Sequence, residues 1–565
     1  MTRNEFKLGR VQSPLDENES GTVTVPSLSE RFGSTSISLP SLSMINNSYS
    51  FPFSVFILGT SYFFWRYIQH KRSAPHKLLM PTSKQTSWIW GNELKIFQRE
   101  ASEIYVEWAA SLGLVYRIKA ALFQSDIIIV GDNSAAQHIF QNSYTYVKAP
   151  AFLRLVERLA GKCLAWAEGE DHKYQRRLLA PAFTSGAVEA MTDDIFSCVE
   201  KMSQNLRTLT GPDANVVDMA PVISTCALDI IGRVGFGHDF ESTEVKAIRS
   251  AWHQHVVMSR TFAGFMAPIL ISVFPWITKL PLPVFRDSAV RPITYKLAGR
   301  LLSENSGNTN VLHGNDILSI LVNSRSDSKG DLEAQLTTTE LLDNIAFFMM
   351  AGHETTAVAV DSLLLELAQN PTIQRKLRHE IRTVASLDYH NIVTLEYLDA
   401  VTKEGLRLHP VTAATERIAL QDDVIPLKQA ILNENGKTVS SLVIKAGQVF
   451  RIPWTVLNVN EQVWGSNASQ FIPERWIQPG GVPSADKLPH GPWGGVSSFC
   501  DGPRTCIGYR LAVLEIKIIL AVLMLSFEFE CTEAKIVQYL APTLQPFADG
   551  KPVSMPLKVS LVPDL

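Results

Sequence analysis

Ser498-Phe499-Cys500-Asp501-Gly502-Pro503-Arg504-Thr505-Cys506-Ile507-Gly508 runs straight into an apolar stretch that starts near Ile507 and reads as a helix. A cysteine at a helix start meets free backbone N–H groups and the positive end of the macrodipole, and both favour the thiolate. Gly502 and Gly508 permit tight turns and the close approach of a flat ligand. Arg504, two residues before Cys506, can reach an anionic group on that ligand. A lone buried cysteine usually acts as a small hydrophobe. Here the glycines, the arginine and the helix start together point to a thiolate ligand. The apolar run at 516–527, between Glu515 and Glu528, is too short to span a bilayer and is expected as a buried core helix.

Working outward, the chain has 565 residues, 46% hydrophobic and 19% charged, which is ordinary for a globular protein. The formal net charge of -3 gives no basic field for nucleic acid. The 6 cysteines are too few for a disulfide framework, and Cys500 and Cys506 are not at zinc spacing. A reducing compartment follows. Helical patterning dominates from 95 to 410, whereas strand and loop signals concentrate at 410–500 and after 540. No domain linker interrupts this stretch, and 303–336 reads as a polar surface loop. The fold class is mainly α with smaller β-sheets.

The helix after that loop is the most informative one. It opens on Thr337-Thr338-Thr339-Glu340, a capping-box pattern, and runs to Asn370, where Pro371 stops it. Roughly 32 residues make about 48 Å of helix, enough to cross a domain. Its middle, 345–360, is apolar nearly all round, yet holds Gly352, His353, Glu354, Thr355 and Thr356. A buried carboxylate needs a partner or a chemical reason.

At the other end, 1–48 is Ser-rich, carries Pro14, Pro26 and Pro40, and is expected to stay disordered. The apolar segment at 49–68 is expected to be a membrane anchor. Its apolar part runs from about Phe51 to Trp65; Arg66, Lys71, Arg72 and Lys77 follow that part and place the rest of the chain in the cytosol. Residues 69–90 read as a linker, and 91–565 as the main domain. Met44 could start a shorter chain with an ordinary signal-anchor opening, which would make 1–43 dispensable.

The pattern Phe499-x-x-Gly502-x-Arg504-x-Cys506-x-Gly508 resembles the haem-binding loop of the cytochrome P450 family. Other motifs agree in chain order. Ala351-Gly352-His353-Glu354-Thr355-Thr356 resembles the oxygen-activating kink of the family's central helix. Glu404-Gly405-Leu406-Arg407 resembles its E-x-x-R, and Pro473-Glu474-Arg475 the segment whose arginine joins that pair. Residues 169–183 resemble the helix at the haem edge, with His172 standing where the family often has Trp. The resemblance covers about residues 90–560. Only Pro75 and Pro81 remain of the Pro/Gly-rich hinge that usually follows the family's anchor.

The resemblance implies a single large haem domain of the cytochrome P450 fold with an N-terminal anchor. It implies haem b with Cys506 as axial thiolate, shielded by Phe499 and lying close to Gly502 and Gly508. His172, Arg176, Arg417 and Arg504 would serve the propionates, with Lys173 and Arg177 left in solvent. Gly352 would open the central helix, and Glu354 and Thr355 would relay protons. Glu404, Arg407 and Arg475 would form a structural network. Phe347, Phe348, Met350 and Ala351, then Val411, Thr412, Ala413 and Ala414, are the pocket candidates. The apolar region 262–277 is a candidate substrate route from the membrane.

The activity implied is insertion of one oxygen atom of O2 into a lipophilic, terpenoid-like substrate in secondary metabolism, at the endoplasmic reticulum membrane. Electrons would come from a separate NADPH–cytochrome P450 reductase docking near Arg510 and Lys517. The alternatives are a haem-thiolate isomerase or dehydratase that needs no O2, and a non-catalytic haem sensor. Cys506→Ala is expected to abolish the red-shifted Soret band of the ferrous carbon-monoxide complex, whereas Cys500→Ala keeps it. The reverse pattern would refute the ligand assignment.

Overall fold

The computed structural model describes residues 77–562, except 101–102, 280–289, 308–315 and 321–335. The expected tail (1–48) and anchor (49–68) lie outside the described residues. The domain begins earlier than residue 91, because Leu78 is buried and bridges Asn433.

The central helix, Thr338–Gln369, has the 32 residues expected. Thr337 Oγ1 accepts the Glu340 N–H at 3.2 Å, and Glu340 Oε2 accepts the Thr337 N–H at 2.8 Å. Such a cap is worth about 1 kcal/mol. The next helix, Pro371–Ile381, carries Pro371 in its first turn, where no N–H is needed. Met219–Phe236, Glu396–Leu408 and Tyr509–Ser526 pack around the central helix. Ile223, Ile345, Met349, Leu363, Leu398 and Ile519 from these four helices share one core. Among the described residues Met219–Phe236 is apolar and long enough to cross a membrane, but it is mostly buried in this core. Tyr509–Ser526 is the core helix expected from its apolar run.

The central helix does not open at Gly352: it is helical throughout. A Cβ at Gly352 would stand 2.7 Å from Ile231 Cδ1 and Cγ1. The glycine therefore serves close packing against Met219–Phe236 instead of a kink.

A five-stranded sheet has the order Val115–Ile118, Ile127–Val130, Val449–Pro453, Ala414–Ala419, Tyr146–Lys148. Three of its strands fall inside the stretch read as helical. They are short, and a run such as Ile127-Ile128-Ile129-Val130 buries every side chain, so it shows no strand alternation. The outer pairing sets Lys148 directly opposite Arg417. After the last long helix, Ile536–Ala541 pairs with Thr543–Ala548, earlier than the strand signal suggested. The helix Val290–Gly307 and a helical turn at 317–320 also enter the segment read as loop.

Glu404, Arg407 and Arg475 form the expected buried network. Arg407 donates to both carboxylate oxygens of Glu404, at 2.9 and 2.8 Å. Arg475 Nε, the Ile472 N–H and Trp476 Nε1 donate to the same carboxylate, at 3.0, 3.0 and 2.9 Å. Arg407 also reaches the carbonyls of Asn458 and Ala468. Arg407→Ala leaves Glu404 buried without its main partner. The expected loss in apparent unfolding free energy is about 3–5 kcal/mol, read from urea denaturation of the haem-loaded protein. A loss below 1 kcal/mol would show that the network holds nothing.

Candidate active site

The Cys loop is fixed from two sides. Asn458 Oδ1 accepts from the Ser497 N–H and hydroxyl, and Ser498 Oγ donates to the Leu406 carbonyl at 2.6 Å. Gly502 has φ 65°, and a Cβ there would lie 2.4 Å from the Phe140 carbonyl oxygen. Only glycine fits. The chain then doubles back, and the Cys506 N–H donates to the Phe499 carbonyl at 2.9 Å. The Phe499 ring packs on Trp493 and Tyr509, with ring centroids 6.2 and 6.1 Å away.

Cys506 opens into a cavity of about 1260 Å³. Burial pushes its thiol up, while the Gly508 backbone N–H and the Arg176 charge favour the thiolate. Gly508 caps the following helix. Cys500 also borders the cavity, but its Sγ contacts the Asp501 carbonyl at 3.7 Å and it packs on a separate core cluster.

Facing the Cys loop, the central helix lines the cavity with Phe347, Phe348, Ala351, Gly352, Thr355 and Thr356. This is one face at helical spacing. Met350 is off that face; it is buried with Val156, Trp252 and Phe547 and is not a pocket residue. Val411 is also corrected: its carbonyl accepts from the Leu544 N–H at 2.8 Å and its side chain packs on the main core. Thr412, Ala413 and Ala414 do line the cavity.

Thr355 Oγ1 donates to the Ala351 carbonyl at 2.7 Å and stands on the cavity face. Glu354 points elsewhere, to Gln545 and Thr543 of the strand Thr543–Ala548. Burial holds its carboxyl up at about 7, so it can carry a proton at neutral pH.

Cations gather at one corner of the cavity. Arg504 donates to the Ala167 carbonyl at 2.7 Å and pairs with Glu168. Arg417 donates to Thr415 Oγ1 and the Glu416 carbonyl, and Arg176 to the Thr505 carbonyl. His172 is buried beside the Tyr144 hydroxyl, at 3.3 Å. Burial, then the charges of Arg504, Lys148 and Arg176, push it down to about 3, so it is neutral. Lys173 and Arg177 are exposed, as read from the sequence.

Lys148 is the member that sequence reasoning missed. It lines the cavity, and burial followed by Arg504 pushes its ammonium down to about 7. Like charges set opposite each other across strands destabilise a sheet, yet Lys148 faces Arg417. Among the described residues the side chains of Lys148, Arg176 and Arg417 form no ion pair, although the Lys148 N–H donates to Glu168 at 3.3 Å. A dianionic edge seated here would relieve that repulsion, so the residues present fit a flat ligand with two carboxylates and a metal over Cys506.

The fold and this site define a haem-thiolate protein. The family profile "Cytochrome P450" matches residues 81–543, and the chain belongs to that family. It is 31% identical over 494 residues to cytochrome P450 monooxygenase claP of Ampulloclitocybe clavipes, covering 85% of this chain and 90% of that protein. It is also 31% identical over 474 residues to cytochrome P450 monooxygenase 205 of Postia placenta, covering 80% and 86%. The protein is a cytochrome P450 monooxygenase whose cofactor is cysteine-ligated haem.

Lys148→Met is expected to speed haem transfer to apomyoglobin about tenfold or more, the scale of a lost hydrogen bond to a charged group. Lys173→Met should leave the rate unchanged. Equal rates for Lys148→Met and the parent would remove Lys148 from the haem site.

Proposed function

We propose that this chain is a membrane-anchored fungal monooxygenase of the endoplasmic reticulum, with its catalytic domain in the cytosol. It inserts one oxygen atom of O2 into a lipophilic, terpenoid-like substrate in secondary-metabolite biosynthesis. Its electrons come from a separate NADPH–cytochrome P450 reductase. The observation that carries this reading is the apolar part of the lining of the cavity that Cys506 shares: Phe347, Phe348, Phe265, Pro268 and Ile271 offer a hydrocarbon skeleton apolar contact.

The helix Phe262–Val273 supports a membrane route. Phe265, Ala267 and Pro268 line the cavity, while Phe262 is exposed beside Trp90 at 5.6 Å. Trp88, at 81% exposure, and Trp276, at 60%, are further large apolar groups open to the surroundings. Aromatic residues of this kind suit the bilayer interface. Of the two basic residues read as a reductase contact, Arg510 is exposed, but Lys517 is buried and bonded to Asp399 at 2.6 Å. Lys517 is withdrawn from that role.

Bound haem supplies the activation of O2 and the transfer of one of its atoms. Cys506 holds it, and the cations orient its propionates. Thr355 offers a hydroxyl on the cavity face, and Glu354 stores a proton on the next residue. Phe347 and Phe348 restrict water beside the substrate.

The test is product formation in microsomes containing the reductase, fed with candidate terpenoids and other lipids and read by mass spectrometry. Products one oxygen heavier that depend on NADPH and reductase are expected; turnover without either would favour the isomerase reading. In the same assay Thr355→Ala should keep consuming NADPH while product per NADPH falls about tenfold or more and peroxide rises, since a positioned proton-transfer group contributes roughly 10²–10⁴-fold. Unchanged coupling would remove Thr355 from the relay.

A further inference from the structure

The helix Tyr509–Ser526 presents Leu511, Ala512 and Glu515 to the cavity, below Gly508, at helical spacing. Three of these four residues suit a wall beside a flat apolar ligand. Glu515 does not. Its carboxyl is 2% exposed, and its side-chain partner is the hydroxyl of Thr356 on the central helix. Among the described residues it forms no ion pair.

The charged groups of the neighbouring elements are committed elsewhere. On Glu396–Leu408, Asp399 holds Lys403 and Lys517 at 2.6 Å each. On Pro371–Ile381, Arg378 donates to the carbonyls of Met524 and Phe527. Lys201 of Thr192–Thr210 pairs with Asp229 at 2.8 Å. Glu189 and His390, on Ser185–Ala190 and Tyr389–Thr394, are exposed, and Glu530 of Phe527–Cys531 pairs with Lys558. On the central helix Glu354 faces Thr543 and Gln545, and His353 Nδ1 lies 2.7 Å from the Met349 carbonyl. Asp361 of that helix is fully buried, and burial followed by Asp218 and Glu354 pushes it well up. Cys226 of Met219–Phe236 is near enough to sense Glu515, whose charge is among the causes that push its thiol up after burial. Cys506 shares the cavity.

A carboxylate buried beside a redox centre without a cation has two costs. It is poorly solvated, and its negative charge opposes the arrival of an electron. Burial, against the opposing pull of the Thr356 hydroxyl, holds Glu515 up at about 8. By linkage, whatever makes the ionised carboxylate oppose electron uptake also makes electron uptake favour its protonation.

We propose that Glu515 is the redox-linked acid of this site: ionised in the alkaline range while the haem iron is ferric, it takes a proton from solvent as the iron accepts its first electron. The inference rests on the haem-thiolate reading. The balance is one electron from the reductase to iron and one proton from water to a Glu515 oxygen. The Glu515 O–H bond forms as an O–H bond of the solvent donor breaks, leaving hydroxide or the buffer's base, and no bond to carbon changes. Thr356 is a positioning residue that stabilises the ionised form and so sets where the coupling begins.

The experiment is spectroelectrochemical titration of the haem-loaded full chain in detergent, poised by an electrode and mediators from about pH 6 to about pH 10. The parent, Glu515→Gln and Thr356→Val are compared. In the parent, the ferrous-to-ferric ratio at fixed potential should fall up to tenfold per pH unit above the break, which is 59 mV per unit for one electron. Glu515→Gln should lose that slope and favour the ferrous form at high pH. Thr356→Val should keep the slope but break at higher pH. Coincident parent and Glu515→Gln profiles overturn the proposal. Where Glu515→Gln takes up no haem, Thr356→Val decides, and an unmoved break overturns it. A parent lacking the red-shifted Soret band of the ferrous carbon-monoxide complex sinks the haem-thiolate reading itself. A parent showing that band with coincident profiles sinks only the role of Glu515.

Discussion

One fully buried carboxylate holds the geometry on which the site depends. Glu404 accepts from Arg407, Arg475, Trp476 and the Ile472 backbone, and so binds a helix to segments far along the chain. Two buried cations and one buried anion would be costly if any partner were loose. That cost is what gives the arrangement its precision. Arg407 passes the constraint to the carbonyls of Asn458 and Ala468, and Asn458 holds Ser497 at the start of the Cys loop. The position of Cys506 is therefore set from outside the cavity it faces.

The central helix divides its polar groups between opposite environments. Thr355 and Thr356 stand on the cavity face, while the adjacent Glu354 turns to a strand. At about 100° per residue, Glu354 falls outside the face that Thr355 and Thr356 share. The Glu354 carboxyl and the Thr355 hydroxyl therefore have different partners, a strand on one side and the Ala351 carbonyl on the other. On the strand Thr543–Ala548, Gln545 and Thr543 fix the orientation of the Glu354 carboxyl. Gly352, which keeps the helix close to Ile231, contributes position instead of an opening in the backbone.

What was legible in the sequence was local. The Cys loop, the capping box, the Glu404–Arg407 pair and the stop at Pro371 each depend on residues a few positions apart, whose turn or helix geometry is fixed by spacing. Helix phase was only partly legible: Phe347, Phe348 and Ala351 reach the cavity, but Met350 does not. Lys148 was invisible, because nothing near it in sequence resembles a site. Its meaning comes from a strand register that sets it against Arg417. Glu515 only marks the edge of an apolar run, and Lys517, inside it, reads as a surface contact for the reductase. Both are buried, since this helix packs on several neighbours at once. Sequence patterning identifies a charged residue but not the partner that allows it inside.

The two ends of this electrostatic design serve one purpose. Lys148, Arg176 and Arg417 crowd together with no side-chain ion pair of their own among the described residues, Glu168 being taken by Arg504 and Glu416 by Arg451. Glu515 sits in the wall with no ion-pair partner among the described residues. Each is a penalty to the folded chain by itself, and each is removed by a different event. The cationic corner is relieved when a dianionic cofactor binds, so cofactor affinity and domain stability rise together. The acid is relieved by a proton, whose uptake electron arrival favours. A fold stabilised only by its own side chains would need neither. This one leaves charges unanswered where the cofactor and the electron are to come, so binding and reduction each draw on strain already present in the protein.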